Sequence, residues 1–364
     1  MRMLARTLSV RDFRSFDSFD LALDPAVTVL VGRNAVGKTN LVEAMQLLTA
    51  GQSFRRPSPS DLVKGGRTHA FAELSFEGDG RKVETALEVR DGKRSFLRCG
   101  KKTTAAGVRG IVPSVLFCPD HLDMVKRSAS VRRAALDDFG VQLNDRYAHL
   151  VSAYARTVEQ RNSLLREPSC TDALLGAWDD ALVGTGASLL IHRRSLLARI
   201  RERMIAVYGE VAPTEAIDVT YRASIGDIAP DASRGDIAQL FLHALEESRE
   251  DERRRGLTLC GPHRDEIVFT IDGRDARSFA SQGQQRSLVL AWKIAEVEVT
   301  CDILGRYPML LLDDVMSELD SSRREAITGF VRGEIQTVIT TTNLGYFSQD
   351  VMDTAKVVHI GDQA

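Results

Sequence analysis

Apolar residues in this chain follow two periods, and the switch between them divides it. Up to about residue 120 they alternate or run in short blocks, as strands do. Val27-Thr28-Val29-Leu30-Val31 is an unbroken, largely β-branched run and predicts a buried strand. Leu41, Met45 and Leu48 follow at helical spacing. Hairpin turns are predicted at Gly78-Asp79-Gly80 and Asp91-Gly92, each between alternating runs. A short buried strand is predicted at 113–117. From about residue 130 the period lengthens. Leu136, Phe139, Leu143, Tyr147, Leu150, Tyr154 and Val158 recur every three or four residues, as do Leu174, Trp178, Leu182, Leu189, Leu196, Ile200 and Met204. This predicts long amphipathic helices packed antiparallel across a turn near Pro168, and a third helix over roughly 237–247. Strands return at 257–259 and 267–271, the latter with an Asp272-Gly273 turn, and again at 309–312 and 336–340. The expected fold is an α/β sheet domain with a β-rich N-terminal part, split by an inserted helical lobe. The sheet domain takes 1–125 and 256–364; the lobe takes 126–255.

Composition narrows this picture only a little. The chain has 364 residues, too many for one small core. With 43% hydrophobic and 27% charged residues it reads as globular, and no apolar run reaches membrane-spanning length. Met1-Arg2-Met3-Leu4-Ala5-Arg6 lacks the apolar core of a signal peptide. Cys99, Cys118, Cys170, Cys260 and Cys301 have no metal-ligand spacing and read as reduced thiols of a cytoplasmic protein. A net charge of −2 leaves any nucleic-acid binding to local basic patches. The candidates are Lys101-Lys102, Arg132-Arg133, Arg193-Arg194 and Arg253-Arg254-Arg255, each equally readable as a solvated helix face. The charge run 246–255 is likewise expected to face solvent.

The chemistry begins directly after the first buried strand. Gly32-Arg33-Asn34-Ala35-Val36-Gly37-Lys38-Thr39 fits G-x-x-x-x-G-K-[ST], the P-loop, and Asn40 continues it into the helix. The glycines let backbone N–H groups turn inward around an anion. Lys38 supplies a cation for the terminal phosphates, and the Thr39 hydroxyl can hold Mg²⁺. The ligand is therefore a nucleoside triphosphate with Mg²⁺. Far downstream, Leu310-Leu311-Leu312-Asp313-Asp314 is an apolar strand ending in two carboxylates, a Walker B element. Asp313 is the candidate Mg²⁺ ligand. Asp314 and Lys38 are the candidate catalytic groups, Asp314 orienting the attacking water. Ser317-Glu318-Leu319-Asp320 follows at once, and Ser281-Gln282-Gly283-Gln284-Gln285-Arg286 opens a helix upstream. A Ser at a helix start is often only a cap, but with exposed N–H groups it is also an anion site.

Together these motifs resemble the ABC-type ATPase head found in SMC proteins and related DNA-repair ATPases. Ser281, Gly283 and Gln284 lie in the segment that resembles that family's signature. Ser317 and Asp320 lie in the segment that resembles its D-loop. Phe13-Arg14-Ser15-Phe16, Ser53-Phe54-Arg55 and Gly261-Pro262-His263-Arg264-Asp265 resemble the recombination-repair branch of the family. The resemblance implies ATP as the triphosphate and an ATP-dependent head-to-head homodimer in which signature and D-loop of one copy complete the Walker site of the other. It implies binding to double-stranded and single-stranded or gapped DNA, and help in loading recombinase with mediators of the RecR and RecO type, with no membrane involved. A transporter subunit fits poorly with the long helical segment between Lys38 and Ser281. A nuclease-associated ATPase would need a further metal-binding domain, whereas only about 40 residues follow Asp320. An interaction protein that uses ATP only to hold its fold is the remaining alternative. Two departures stand out. Asp314 replaces the usual Glu, which puts the carboxylate further from the water and predicts slow hydrolysis. The switch position is expected at Thr341-Thr342-Asn343, and the Q-loop position at Pro119-Asp120-His121.

Overall fold

The computed structural model describes residues 3–331 and 334–361. Its contacts form two compact units, Met1–Leu122 with Trp292–Ala364, and Asp123–Ala291. The strands run in chain order β1 (Leu4–Phe13), β2 (Phe16–Ala22), β3 (Val27–Val31), β4 (His69–Gly78), β5 (Arg81–Arg90), β6 (Lys93–Arg98), β7 (Lys101–Thr103) and β8 (Ser114–Phe117). The second unit holds β9 (Ile217–Arg222), β10 (Glu266–Ile271) and β11 (Arg274–Asp275). The first unit resumes with β12 (Met309–Asp313), β13 (Thr337–Thr341) and β14 (Lys356–His359).

Two sheets build the first unit. An antiparallel sheet runs β2-β1-β4-β5-β6-β7. Its hairpins turn where predicted, with Asp79 and Gly80, then Asp91 and Gly92, at positive φ, as a tight right-twisting hairpin requires. A five-stranded sheet runs β14-β3-β13-β12-β8 with every neighbouring pair parallel. Its inner strands β3, β13 and β12 are buried at every position, and β3 and β12 are largely apolar because both faces are covered. Helix Lys38–Ala50 starts at Gly37 and stops at Gly51, both with positive φ. It touches β4 and β5 of one sheet and β8, β12 and β13 of the other. Leu41, Met45, Leu47 and Leu48 lie wholly in the core between them. Gln336 stitches the sheets together. Its Oε1 accepts from Ala5 N at 2.9 Å, and its Nε2 donates to Ala5 O and Asp24 O, each at 2.8 Å.

The second unit packs helices Ala129–Leu143, Asp145–Leu165, Asp172–Val211 and Arg234–Arg255 with the antiparallel sheet β11-β10-β9. Five sequence expectations change here. The apolar period through Leu143 and Tyr147 is two helices, broken at Asn144, whose Oδ1 accepts from Arg146 N at 2.8 Å and caps the next helix. The charge run 246–255 is helical and partly internal. Glu252 is fully buried and accepts from Arg161 at 2.6 Å, and Arg249 pairs with Asp179 at 2.8 Å. Residues 257–259 form no strand, because side chains take their polar groups: Leu259 N donates to Glu252 and Thr258 N to Asn162. Finally, helix Asp172–Val211 does contain an 18-residue window of mean hydropathy 1.2. Leu182, Val183, Leu189 and Leu190 of that helix pack in this unit's core with Tyr154, Ile237 and Phe241, which accounts for the apolarity. The second unit also runs on to Ala291, so 256–291, expected with the sheet domain, clusters with the helices.

Candidate nucleotide site

β3, β13 and β12 lie side by side, and their carboxyl ends carry the P-loop, Thr340-Thr341 and Asp313-Asp314. In open parallel sheets this edge is where ligands bind. The loop is held tightly from behind. A Cβ on Gly32 would lie 2.5 Å from the Ile360 carbonyl oxygen, and one on Gly37 would lie 2.7 Å from the Phe16 ring. Gly37 sits at φ 104, and Ala35 is also left-handed at φ 66. Both positions of the motif's glycines therefore require glycine, for space and, at Gly37, for backbone as well.

Within the cradle, the buried Lys38 ammonium donates to Gly32 O at 2.7 Å and Arg33 O at 2.8 Å. Thr39 Oγ1 donates to Asp313 Oδ1 at 3.0 Å, and Thr340 Oγ1 donates to the same oxygen at 2.7 Å. The Asp314 backbone N donates to Thr340 Oγ1 at 2.9 Å, and Asp314 takes a left-handed φ of 52. Its Oδ1 is buried without a hydrogen-bond partner among the described residues. Burial holds Asp313 above the usual carboxylate range, against the hydrogen bonds of Thr340 and Thr39 and the charge of Arg55. Burial raises Asp314 as well, with Lys38 opposing. Burial also lowers Lys38, countered by Asp314 and then Asp313. Two desolvated carboxylates beside a hydroxyl, one with an orphaned oxygen, fit a Mg²⁺ ion whose remaining ligands are waters and phosphate oxygens.

Two of the remaining segments group around Glu43. This fully buried carboxylate on helix Lys38–Ala50 takes a two-pronged bond from Arg14, with Nε to Oε2 at 2.9 Å and Nη2 to Oε1 at 2.8 Å. Ser53 Oγ adds a bond at 2.6 Å and Arg55 one at 3.3 Å. Arg55 also donates to Asn40 Oδ1 at 2.9 Å, and Asn40 Nδ2 donates to Ser15 Oγ at 3.0 Å. The Arg14-Ser15 and Ser53-Arg55 segments thus brace the first turn after the P-loop. Sequence reading quoted both segments but missed Glu43, their common partner. It also missed Thr340, an ordinary β-former whose hydroxyl joins Asp313 to Asp314. A hydroxyl at the carboxyl end of a fully buried strand, Thr337–Thr341, was the available signal.

In the second unit, Ser281 stands exposed at the start of helix Gln282–Leu304. Its N donates to Gln284 Oε1 at 2.8 Å, and Gln284 N donates back to Ser281 Oγ at 3.2 Å, a reciprocal cap. Gly283 lies in the first turn. In the first unit, Ser317 Oγ donates to Asp314 O at 2.9 Å, and Asp320 Oδ1 caps helix Ser321–Val331 through Arg323 N at 3.0 Å. Thr341 Oγ1 and the Asn343 backbone exchange hydrogen bonds after β13. The Pro119-Asp120-His121 segment is a short helical turn, with Cys118 N donating to His121 Nδ1 at 3.3 Å.

The DNA-binding candidate Arg132 is corrected, and Arg133 is left half-buried. Arg132 is 3% exposed, pairs with Glu266 at 2.9 Å and donates to the carbonyls of Met124 and Val125. Arg133 donates to the Asp265 carbonyl. Arg193 is buried against Asp137 and the Pro262 carbonyl. Arg132 and Arg193 fasten the helices to the 261–266 segment rather than facing solvent.

The family model for the RecF/RecN/SMC N-terminal domain matches residues 4–362. The DNA replication and repair protein RecF of Gloeobacter violaceus is 37% identical over 98% of this chain and 97% of its own length. That of Lactobacillus johnsonii is 34% identical over 98% and 97%. A solved structure of the recombination mediator protein RecF with ATP, in the RecFOR pathway, superposes with a TM-score of 0.88 at 29% identity, covering 95% of this chain and 94% of the other. A Pyrococcus furiosus Smc head shares the fold at a TM-score of 0.57 and 14% identity, covering 98% of this chain and 93% of that one.

Proposed function

The chain belongs to the RecF family within the RecF, RecN and SMC group, and from that premise we propose that it is an ATP-gated DNA clamp of replication and recombinational repair. The observation that carries this reading is the convergence of Thr39, Thr340, Asp313 and Asp314 at the edge of one parallel sheet, around the P-loop. Residues 32–40 hold the phosphates, with Lys38 exchanging the carbonyls of Gly32 and Arg33 for phosphate oxygens. Thr39 and Asp313 hold Mg²⁺, which when bound neutralises developing phosphate charge. Asp314 orients the attacking water, and its short side chain makes turnover slow. Ser281, Gly283 and Gln284 of a second copy close over the γ-phosphate, with Ser317 and Asp320 beside them. Closure produces a homodimer that grips duplex and gapped DNA and works with RecR- and RecO-type mediators to load recombinase, in the cytoplasm at the nucleoid.

Sedimentation of the full chain tests this, with and without ATP and gapped DNA. The expected result is a doubling of mass with ATP and co-sedimentation with gapped DNA. A particle that stays monomeric with both present defeats the clamp.

A further inference from the structure

Ser281 is not the end of its hydrogen-bond network. Gln284, which accepts from Ser281 N through Oε1, gives its Nε2 to Glu215 Oε1 at 3.0 Å. Glu215 sits in the turn after helix Asp172–Val211, its N bonded to Ala212 O at 3.1 Å. Its other oxygen, Oε2, accepts from the hydroxyl of Tyr208 at 2.5 Å, and Tyr208 is fully buried in that helix. The four residues form a relay of fixed polarity. An ionised carboxylate only accepts, so Glu215 obliges Gln284 to turn its amide nitrogen toward it. The amide oxygen then faces Ser281 N. Gln284 N–H in turn occupies the Ser281 hydroxyl oxygen. The O–H of the exposed Ser281 is left free to donate, beside one further lone pair.

We propose that Glu215 is a positioning residue for the signature. It sets the Gln284 amide, and through it the Ser281 hydroxyl, so that a donor faces a phosphate oxygen held by a second copy of the chain. With the Gln284 amide reversed, its nitrogen would meet Ser281 N donor to donor and the cap would open. The inference rests on the composite-site reading above. It adds that the end of the long lobe helix, through Tyr208 and Glu215, governs whether the signature is competent.

The test is ATP-dependent dimerisation of the full chain, followed by light scattering, alongside nucleotide affinity of the dilute monomer by calorimetry. Glu215→Ala should raise the ATP needed for half-maximal dimer about 10-fold, the weight of one such hydrogen bond, and leave monomer affinity unchanged. Glu215→Gln should restore the parent behaviour, since its amide oxygen still accepts from Gln284 and its nitrogen can donate to the Tyr208 oxygen. In a Ser281→Ala background, Glu215→Ala should add nothing further, which a general loss of stability would not reproduce. Should Glu215→Ala fail to fold, Tyr208→Phe removes one bond to the same carboxylate and should shift the titration the same way. Parent-like dimerisation by Glu215→Ala or Tyr208→Phe, while Ser281→Arg blocks it, overturns the positioning role alone. So does an undiminished effect in the Ser281→Ala background. Dimerisation by Ser281→Arg overturns the composite site itself.

Discussion

Thr39 Oγ1 lies 3.0 Å from Asp313 Oδ1, a hydrogen bond between residues 274 positions apart. Thr340 donates to the same oxygen from the strand between them. One carboxylate oxygen thus ties the P-loop helix, β12 and β13 together. The pair explains why a loop near the start and a strand near the end act as one site.

Lys38→Ala should weaken ATP binding about 100-fold while the protein stays folded. Among the described residues its ammonium hydrogen-bonds to the carbonyls of Gly32 and Arg33 and to no carboxylate, so removal breaks no side-chain ion pair, although Asp314 loses the nearby charge that opposes its burial. A charge-assisted hydrogen bond to phosphate is worth about 1.5–3 kcal/mol. Calorimetry on the purified variant gives the answer, and parent-like affinity would remove Lys38 from the site.

Asp314→Asn should lower phosphate release about 100-fold and lengthen the lifetime of the complex on DNA. The left-handed backbone at Asp314 accommodates Asn readily, so the fold should persist, with Asp313 still available for Mg²⁺. Phosphate release at saturating ATP and DNA dissociation are measured in parallel. Slow hydrolysis with unchanged DNA release would keep Asp314 in the mechanism but reject hydrolysis as the release signal.

Ser281→Arg should abolish ATP-dependent dimerisation without altering ATP affinity of the monomer. Ser281 is exposed, and its hydroxyl bonds to Gln284 N alone among the described residues, so the larger side chain fits the free chain and obstructs only closure. Light scattering with and without ATP decides it: a variant that doubles in mass like the parent contradicts the model.

The helical unit should lose stability as pH falls from 6.5 toward 4. His263 is held to about 4 by burial. It accepts from the Tyr154 hydroxyl at Nδ1, 2.8 Å away, and lies 3.1 Å from Thr258 O at Nε2. Above pH 6.5 it is neutral folded or unfolded and contributes no pH dependence. Between 6.5 and 4 only the unfolded chain takes up the proton, so stability falls by up to about 3 kcal/mol. Urea midpoints across this range should fall for the parent and stay flatter for His263→Gln. Equal slopes would show that His263 is not the titrating group.

Contiguous chemistry was legible in the sequence; chemistry assembled from distant parts was not. Residues 32–39 carry the loop, its flanking strand and its helix in one stretch, and 310–314 carry the Walker B strand with both carboxylates. Arg132 reads as basic surface because Glu266, its partner, lies 134 residues away. Glu252 looks solvated within a charge run for the same reason, since Arg161 comes from another helix. The break at Asn144 is hidden because Leu143 and Tyr147 keep the helical period across it, and the cap rests on one polar side chain.

The placing of β3 between β13 and β14 bears on how the chain is made. Residues 27–40 leave the ribosome well before both strands that flank β3 and the Ile360 carbonyl behind Gly32. At about 5–20 residues per second, roughly 15–60 s separate them. Through that interval both edges of an apolar strand stand open, so the nascent chain is exposed to aggregation. Nucleotide cannot serve as an early folding ligand, and a chain cut short by premature termination before β13 would carry an intact P-loop sequence with no P-loop.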